Sequence, residues 1–310
     1  MPTRPEKRLV QLVQTPDRPR NSIQTLLESR GLSPLKIFGQ NFMVDANFAA
    51  AIARDAKLDD KTLAIEAGPG TGLLTRAMLD SHPGARVLAI EIDRGLAVLL
   101  RETFAADIAS GRFTLLEGDA LDGKHRISPA LCAEAQRIVQ AESRPRVTIC
   151  ANLPYNIATP FLANALIDEQ GLGISSALAT IQYELAERML ARQDRSNYGA
   201  LSALFALRAT GRIARKAGGE IFWPRPNVES AVIELNVKPW SIEHKPDALS
   251  RDESVAFQEF IKKVFAQRRK TLRALLKPVS VPAIPGVTPD SRAEALSPET
   301  LLAVFRALPA

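Results

Sequence analysis

The segment Cys150–Asn156, which reads Cys-Ala-Asn-Leu-Pro-Tyr-Asn, carries residue types that can hold a planar amine-bearing group. It follows a β-branched run that predicts a strand. The Asn152 side-chain oxygen and the carbonyl of Leu153 or Pro154 can accept both hydrogens of an exocyclic NH2, and Tyr155 can stack on the ring that carries it. The segment therefore predicts chemistry at an amino nitrogen. On its own, this short segment is better explained as an ordinary Asn-x-Pro turn after a strand, and the other motifs of the chain are needed to favour the chemistry.

A glycine-rich turn joins an earlier predicted strand to the helix that follows it. Gly68, Gly70 and Gly72 form a G-x-G-x-G pattern, which allows the backbone to approach a ligand closely at the helix N-terminus. The dinucleotide-binding spacing is G-x-G-x-x-G, and no P-loop lysine follows here. A pyrophosphate cradle is therefore disfavoured. A compact ligand with an amino-acid part and a nucleoside part, such as S-adenosylmethionine, fits better.

Polar residues follow three more predicted strands, each at its carboxyl end. Glu91 is placed to accept hydrogen bonds from two ribose hydroxyls, and Asp119 to accept one from an adenine amino group. Asn152 follows the fourth strand. Open α/β sheets bind ligands outside the carboxyl ends of their strands. The sequence therefore predicts one nucleoside-binding site at this edge, next to the Asn152 turn.

Strand-like and helix-like periodicities alternate along the chain. The predicted strands are Thr62–Glu66, Arg86–Glu91, Arg112–Leu116, Arg146–Ala151 and Ser176–Gln182, with late strands near 211–216 and 230–237. The predicted helices are Ser22–Arg30 and Ala46–Lys57, then segments near 72–82, 94–104, 128–142, 160–169, 184–192 and 199–209. This alternation predicts an α/β fold with right-handed βαβ units and a parallel sheet covered on both faces.

The ends of the chain differ from its middle. Residues 1–20 are polar, aperiodic and contain Pro, which predicts a flexible basic arm. A polar, Pro-containing seam lies near residues 239–250, and helical patterns follow at about 252–277 and 297–307. The predicted organisation is the arm (1–20), the sheet-containing domain (21–240) and a small helical domain (241–310).

Composition excludes several classes of protein. The 310 residues are 46% hydrophobic and 24% charged, as in globular proteins, and no apolar run is long enough to cross a membrane. Two cysteines and three histidines give no disulfide framework and no metal-ligand spacing. We therefore expect a cytoplasmic, monomeric protein with no metal site and no membrane partner.

The net charge of +6 favours a polyanionic partner. The cations concentrate in two stretches that contain no acidic residue. The first holds Arg208, Arg212, Arg215 and Lys216; the second holds Arg268, Arg269, Lys270 and Arg273. We expect both clusters to bind a nucleic-acid backbone. A solvated helix face is the alternative for each.

Seven sequence blocks occur in the order found in the ribosomal RNA adenine dimethyltransferases, and the chain resembles that family over roughly residues 36–277. Within the family it most resembles the small-subunit type associated with kasugamycin resistance. The blocks are Gln40-Asn41-Phe42, Glu66-x-Gly68-Pro69-Gly70, Glu91-x-Asp93, Asp119-Ala120, Asn152–Asn156, Phe222-x-Pro224-x-Pro226-x-Val228-x-Ser230-Ala231-Val232 and Phe265-x-Gln267-Arg268-Arg269-Lys270-Thr271-Leu272-Arg273.

The resemblance implies a Rossmann-like methyltransferase domain with a C-terminal helical RNA-binding domain. It also implies that S-adenosylmethionine donates methyl groups to N6 of two adjacent adenines near the 3′ end of small-subunit ribosomal RNA. The implied cofactor contacts are Asn41, Met43, Gly68, Gly70, Glu91, Asp119 and Asn152. Asn152, Leu153, Pro154 and Tyr155 would hold the target base, and Phe222 would close its other face unless it packs in the core.

Three features depart from the family pattern. They are a longer arm before Lys36, a long segment at 120–145, and Tyr183 where many relatives carry Lys. Three alternative functions also stay open at this point. The chain could methylate large-subunit RNA to confer antibiotic resistance, methylate a protein glutamine, or serve as a non-catalytic ribosome assembly factor.

Overall fold

A computed structural model describes residues 19–123, 126–168, 170–240 and 248–309. The predicted arm lies outside these residues except for Pro19 and Arg20, which begin the first helix, and most of the predicted seam also lies outside them. In chain order the strands are β1 (Phe42–Met43), β2 (Thr62–Ala67), β3 (Arg86–Glu91), β4 (Phe113–Glu117), β5 (Leu121–Asp122), β6 (Arg126–Ile127), β7 (Arg146–Asn152), β8 (Ile174–Gln182), β9 (Ala209–Ala217), β10 (Phe222–Trp223) and β11 (Ser230–Val237).

Helices cover both faces of the sheet and form the C-terminal part of the described chain. In chain order they are α1 (Pro19–Ser29), α2 (Ala46–Asp55), α3 (Leu73–Ser81), α4 (Arg94–Thr103), α5 (Ala105–Ala109), α6 (Pro129–Ala141), α7 (Tyr155–Ile167), α8 (Tyr183–Met189), α9 (Ala200–Arg208), α10 (Ser254–Phe265), α11 (Leu272–Leu275) and α12 (Pro298–Arg306). One buried cluster includes side chains of α2, α3 and α4, and another those of α6, α7 and α8.

Seven strands form the central sheet in the order β4-β3-β2-β7-β8-β11-β9. The first five are parallel, while β11 runs antiparallel to both β8 and β9. Every residue of β2 and β3 is buried, as expected for parallel strands covered on both faces. The chain runs outward from β2 to β4 and then crosses to β7. The strand order therefore reverses between β2 and β7, where open α/β sheets bind ligands.

Two predicted helices have other bounds in the structure. Helix α7 begins at Tyr155 rather than near residue 160, because the Pro154 carbonyl oxygen accepts hydrogen bonds from Ile157 N and Ala158 N and starts the first turn. The single helix predicted over 252–277 is wrong, since α10 ends at Phe265 and α11 is a separate turn. Three consecutive cations lie in the break, where like charges and the hydrogen bonds of Arg268 to loop carbonyls disfavour a continuous helix.

Two pairs of short strands were not predicted from the periodicity of the sequence. Strand β1 pairs with β10 through Phe42 opposite Trp223, and this pairing ties the segment before α2 to the segment after β9. Strands β5 and β6 form a small hairpin within the long 120–145 segment. A two-residue strand is too short to show the alternation from which strands are predicted.

The C-terminal helices share a buried core with helices of the sheet-containing domain. Helix α9 packs against both α10 and α12, and the shared core contains Tyr198 and Leu204 as well as Phe257 and Leu302. Asp168 lies at this junction, immediately after α7. Its carboxylate accepts hydrogen bonds from Leu172 N and Gly173 N, and it forms an ion pair with Arg251. The junction therefore depends on one buried acid.

We expect Asp168→Ala to lower the free energy of unfolding by about 3 kcal/mol, because the substitution leaves two backbone N–H groups and a guanidinium without their acceptor. Denaturant unfolding measures the change. Glu259→Ala is the matched control: it removes only an exposed pair with Lys262 and should cost less than about 0.5 kcal/mol. Equal effects for the two variants would contradict this role for Asp168.

Candidate active site

A pocket opens at the carboxyl ends of β2, β3 and β7, at the position where the strand order reverses. Its empty volume is about 960 Å³ when the open solvent space at its mouth is included. The structure brings most of the predicted site residues to its lining. They are Asn41, Met43, Gly68, Gly70, Glu91, Asp119, Asn152, Leu153, Pro154 and Tyr155.

The glycine turn after β2 forms one wall of the pocket. Gly68, Gly70 and Gly72 have φ angles of 71°, 58° and 83°, which favour glycine over every other residue. A Cβ atom on Gly70 would lie 2.9 Å from the Phe42 ring, and one on Gly68 would lie 3.2 Å from Pro154 Cγ. Side chains here would fill the space between this turn and the Asn152 turn. The turn therefore leaves room for a ligand against its backbone.

The next strand end presents Glu91, a buried acid held by backbone donors. Its Oε2 accepts a hydrogen bond from Gly70 N at 3.0 Å, and its Oε1 accepts one from Asp93 N at 2.9 Å. Burial raises the pKa of this carboxyl, while the two N–H donors oppose the increase. Asp93 in turn caps helix α4, accepting from Gly95 N and Leu96 N. Glu91 is therefore fixed in place, with lone pairs remaining for hydroxyl donors.

Asp119 follows β4 on the neighbouring side of the pocket. Its Oδ1 accepts a hydrogen bond from Leu121 N at 2.9 Å, which fixes the carboxylate in the turn after Gly118. This bond uses one lone pair of one oxygen, so Asp119 can still accept a hydrogen bond from an amino group. The pocket thus presents acceptors from two adjacent strand ends, an arrangement that fits the ribose and adenine parts of a nucleoside.

The Asn152 amide is oriented by the segment that precedes α2. Asn152 Nδ2 donates a hydrogen bond to the Asn41 carbonyl oxygen at 3.0 Å. Because the nitrogen of the amide is used in this bond, its Oδ1 is left as an acceptor at the pocket. Asn41 Nδ2 donates to the Gly39 carbonyl at 3.3 Å, which braces the same segment. The pairing of β1 with β10 thus helps position the acceptor proposed for the amine.

The two candidate carbonyls of this turn differ in availability. The Pro154 oxygen already accepts hydrogen bonds from Ile157 N at 3.1 Å and from Ala158 N at 3.0 Å. Within the described residues the Leu153 oxygen accepts none, and Leu153 N is anchored to the Thr180 oxygen. Both carbonyls were candidates from the sequence, and the structure favours that of Leu153. Asn152 Oδ1 and Leu153 O can then accept the two hydrogens of one amino group.

Tyr155 completes this side of the pocket. Its hydroxyl lies 2.6 Å from Ser230 Oγ, at the start of β11, and this contact holds the ring in a fixed orientation. Burial raises the pKa of the Tyr155 hydroxyl, so the side chain stays neutral. A neutral aromatic ring beside the two acceptors can stack on a base that enters the pocket.

Phe222 does not have the predicted stacking position. Its side chain is 1% exposed and belongs to the buried cluster with Met43, Leu73 and Cys150, and it is absent from the pocket lining. The pairing of β10 with β1 turns the ring into the core, which is the alternative considered from the sequence. In this conformation, the prediction that Phe222 closes the second face of the base is wrong.

Most cations of the first basic cluster form hydrogen bonds or ion pairs within the protein. Arg208 is 2% exposed, its Nε donates to the Leu166 oxygen, and its guanidinium lies 3.5 Å from the centre of the Trp240 ring. Burial lowers the pKa of Arg208 to about 10, yet it stays charged at neutral pH. The prediction that Arg208 binds RNA is therefore wrong, since a buried guanidinium cannot reach a phosphate.

The other three cations of this cluster reach the surface. Arg212 pairs with Glu234 of the neighbouring strand at 2.5 Å, and Arg215 pairs with Asp55 at 2.7 Å. Lys216 is exposed, and its ammonium lies 4.8 Å from the centre of the Tyr183 ring. Of the three, Lys216 is the one without an ion pair in the described part of the chain, so it remains the strongest candidate for a phosphate contact.

The second basic cluster contains cations of two kinds. Arg268 pairs with Glu294 and donates to the carbonyls of Ser196 and Tyr198, so it joins the break after α10 to the loop before α9. Arg269 and Lys270 are exposed and form no ion pair with any described residue, while Arg273 lies 3.4 Å from Asp290. An RNA contact remains a proposal for this cluster, with Arg269 and Lys270 as its free cations.

Gln40 and Glu66 line the pocket and were quoted in the sequence blocks without a role. Gln40 accepts a hydrogen bond from Leu35 N and donates one to Asp93, which links the segment before β1 to the cap of α4. Glu66 lies in the floor of the pocket, is 1% exposed, and accepts a hydrogen bond from the Thr75 hydroxyl at 2.6 Å. Burial and the nearby Glu91 raise the pKa of Glu66 to about 8. In the sequence, the one feature that could have indicated a role for Glu66 was its position as an acid just before the glycine turn.

The described residues contain no group of His, Cys, Asp and Glu side chains that could hold a metal ion. Within the same residues, no helix is long and apolar enough to span a membrane.

Solved structures share this fold. A dimethyladenosine transferase from Plasmodium falciparum has 22% identity and a TM-score of 0.60, with 85% of this chain and 95% of that chain covered. The 23S rRNA methyltransferase ErmE has 22% identity and a TM-score of 0.56, with coverages of 86% and 99%. These likenesses confirm the predicted Rossmann-like fold.

The sequence comparisons are more specific. The model of the family described as "Ribosomal RNA adenine dimethylase" matches residues 34–309. The "Ribosomal RNA small subunit methyltransferase A" of Bifidobacterium adolescentis is 35% identical over 296 residues, 92% of each chain. The chain belongs to the ribosomal RNA adenine dimethylase family. The predictions of this family and of S-adenosylmethionine as the cofactor are confirmed, and the glycine turn and the acceptors of Glu91 and Asp119 fit that cofactor.

The buried carboxyl of Glu66 predicts a pH dependence of stability. Its pKa rises from 4.5 to about 8 on folding, so the folded protein binds this proton more tightly than the unfolded chain does. This contribution to stability is fully present below pH 4.5 and is lost as pH rises towards 8. Each unit of pKa corresponds to about 1.4 kcal/mol, so the cofactor-free protein should lose a few kcal/mol across this range.

Denaturant unfolding of the wild type and Glu66→Gln between pH 5 and 8 measures this effect. The variant should lack the part of the decline that comes from Glu66, so its stability relative to the wild type should rise with pH. Burial also raises the pKa of Glu91, and that contribution is common to both proteins. Asp59 and Glu253 have pKa values lowered to about 2 by their partners, so they do not titrate in this window. A constant difference between the two proteins from pH 5 to 8 would show that Glu66 does not titrate there.

Proposed function

We propose that the enzyme dimethylates N6 of two adjacent adenines in the hairpin near the 3′ end of small-subunit ribosomal RNA, within the immature small subunit. Its relatives that share about a third of their residues are named small-subunit methyltransferases, which supports this choice of RNA. The enzyme would then act as a monomer in the cytoplasm, where small subunits are assembled.

The orientation of Asn152 is the observation that carries the proposed chemistry. Its amide nitrogen donates to the Asn41 carbonyl, and the Leu153 oxygen accepts no hydrogen bond from the described residues. Asn152 Oδ1 and Leu153 O are therefore two acceptors in one turn. The lone pair of an adenine amine is delocalised into the ring, which makes the nitrogen a weak nucleophile. Accepting both of its hydrogens favours a more tetrahedral nitrogen and stabilises the positive charge that develops on it.

The cofactor supplies a methyl group already activated on a sulfonium sulfur, so the protein needs chiefly to align the nitrogen with it. A strong base is not required, which accounts for an amide rather than a carboxylate or histidine at position 152. Tyr155, held by Ser230, would stack on the base after it leaves the RNA stack. Each transfer adds one methyl group, so two rounds per adenine are needed.

The alternative functions are less well supported. A large-subunit RNA methyltransferase shares the fold, yet relatives that are 34–35% identical over most of the chain are named small-subunit methyltransferases. A protein glutamine methyltransferase is disfavoured by membership of a ribosomal RNA family. A non-catalytic assembly factor would have no need for the oriented Asn152 amide or the open cofactor pocket.

Asn152→Ala should reduce the rate of methyl transfer by about 100- to 1,000-fold, because it removes an acceptor that acts mainly in the transition state. The rate is measured with radiolabelled cofactor and immature small subunits, and cofactor affinity by calorimetry. Affinity should change by a modest factor only. Asn236→Ala on the exposed side of β11 is the control. Near-normal turnover of Asn152→Ala would remove Asn152 from the chemistry.

The substrate itself is tested by nucleoside mass spectrometry of ribosomal RNA from a deletion strain. Dimethyladenosine should disappear from the small-subunit RNA and return when the wild type is expressed, but not when Asn152→Ala is expressed. Unchanged dimethyladenosine in the deletion strain would contradict the proposed function, and a loss confined to large-subunit RNA would favour the resistance enzyme.

The free cations of the second basic cluster give a separate prediction about RNA binding. The double substitution Arg269→Gln, Lys270→Gln should weaken RNA binding and flatten its salt dependence, by about 0.7 to 0.9 in the log–log slope for each phosphate that is no longer neutralised. Cofactor affinity should be unaffected, because neither residue lines the pocket. RNA affinity measured at several salt concentrations tests this.

Arg268→Gln is the contrasting variant within the same cluster. Since Arg268 is bonded to Glu294 and to two loop carbonyls, this variant should lower the free energy of unfolding by about 1.5–3 kcal/mol and change the salt slope little. A well-folded double variant with an unchanged slope would exclude phosphate contacts at Arg269 and Lys270.

A further inference from the structure

We propose that Tyr183 and Lys216 bind the RNA strand beside the target adenine: the Tyr183 ring holds the Lys216 ammonium where it contacts the phosphate of a neighbouring nucleotide. The inference rests on the proposed function, because it takes RNA as the substrate. Lys216 is then an RNA-binding residue, and Tyr183 is a positioning residue that acts through it. The incoming RNA strand lies on one particular side of the pocket.

The Tyr183 ring and the Lys216 ammonium are in direct contact. The ammonium lies 4.8 Å from the centre of the ring, a distance at which a cation is attracted to an aromatic face. The ring packs against the buried cluster of α6, α7 and α8, and Tyr183 N donates to the Glu229 oxygen at 2.9 Å. Lys216 is exposed and forms no ion pair with any described residue, while the nearby acid Glu184 pairs with Arg188. A fixed ring therefore restrains an unpaired surface cation.

The pair lies at the same edge of the sheet as the Asn152 turn. Tyr183 directly follows β8, and Lys216 is the last residue but one of β9. Strand β8 is parallel to β7, and β9 has the same direction as β8 because both are antiparallel to β11. The carboxyl ends of β7, β8 and β9 therefore meet at the edge where the pocket opens.

Ser230 connects the pair to the ring that would stack on the target base. At the start of β11, Ser230 is opposite the last residue of β8 on one side and the last residue of β9 on the other. Its hydroxyl lies 2.6 Å from that of Tyr155. Neighbouring strands are about 4.8 Å apart. Tyr183 and Lys216 are thus about one to two strand spacings from the Tyr155 hydroxyl, beside the nucleotide that would occupy the pocket.

The two sides of the Asn152 turn differ in charge. In the sheet, β2, β3 and β4 lie on one side of β7, while β8, β11 and β9 lie on the other. The first side presents the acids Glu91 and Asp119 to the pocket, and these would repel a phosphate. The second side has the unpaired Lys216 just outside the pocket lining. The backbone of the RNA is therefore stabilised on the second side, and the first side is left to the cofactor.

The ring improves the lysine as a phosphate ligand. A long side chain that moves freely in solvent loses rotamer entropy when it is fixed on a ligand, and a side chain that is already restrained loses less. An ammonium has three N–H donors, so those directed away from the ring remain available to a phosphate. Tyr183 therefore strengthens RNA binding through Lys216, without a contact of its own to the RNA.

Lys216→Gln should weaken the binding of immature small subunits and lower the log–log salt slope by about 0.7 to 0.9, the change expected for one phosphate contact. Tyr183→Leu should weaken binding by about two- to fivefold, as expected for the loss of an exposed cation–π interaction. Tyr183→Phe keeps the ring and should bind like the wild type. Cofactor affinity should stay unchanged in all three variants, because neither residue lines the pocket.

The experiment measures the affinity of the full-length enzyme for immature small subunits at several salt concentrations, together with KM and kcat for methyl transfer. Lys61→Gln is the matched control: Lys61 is exposed, has no ion pair among the described residues and precedes β2, at the opposite edge of the sheet. KM should follow the affinity, while kcat at saturating subunits should not change. The double variant Tyr183→Leu, Lys216→Gln should bind no more weakly than Lys216→Gln alone.

A lower slope in Lys216→Gln, a wild-type slope in Lys61→Gln and rescue of Tyr183→Leu by Tyr183→Phe support the inference. Wild-type affinity and slope in a folded Lys216→Gln overturn it while leaving the proposed function intact, even where Tyr183→Leu fails to fold. A full effect of Tyr183→Leu in the absence of Lys216 overturns the positioning role, because the ring then acts by itself. A wild type that neither binds nor methylates small subunits would refute the proposed function, and this inference with it.

Discussion

The hydrogen bond from the Asn152 amide to the Asn41 carbonyl is the contact on which the geometry of the site depends. It joins two parts of the chain that are 111 residues apart, and it decides which atom of the amide faces the pocket. The Asn41 carbonyl is held in place because β1 pairs with β10 and the Phe42 ring stacks on Trp223. A two-residue strand pair thus sets the orientation of the proposed catalytic amide.

The segment that contains Asn41 and Phe42 also restricts which residue types fit in the glycine turn. A Cβ atom on Gly70 would lie 2.9 Å from the Phe42 ring, and one on Gly68 would lie 3.2 Å from Pro154 of the Asn152 turn. The cofactor wall, the amine-binding turn and the segment before α2 are therefore packed against one another. A change of residue type at one of them would displace the other two, since packed interiors leave little free volume.

Much of this arrangement could be predicted from the sequence, because parallel strands bring their carboxyl ends to one edge. Glu91, Asp119 and Asn152 follow strands with clear periodicity, and all three line the pocket. The contacts that orient them could not be predicted. They depend on β1 and β10, which are too short to show alternation, and on the choice between the Leu153 and Pro154 carbonyls, which is determined by where α7 begins.

The basic clusters show a different limit of sequence reasoning. A run of cations without acids suggests a surface for polyanions, yet Arg212, Arg215 and Arg268 pair with acids that lie outside these runs. The acids are Glu234, Asp55 and Glu294. Arg208 is buried where the shared core joins α9 to the C-terminal helices, with Trp240 stacked on its guanidinium. Clusters of cations in the sequence therefore overstate the charge that is available to RNA. Some of these cations instead form contacts inside the protein, as Arg208 does between α9 and the C-terminal helices. The phosphate contacts that we propose therefore involve Lys216, Arg269 and Lys270, which are exposed and form no ion pair with any described residue.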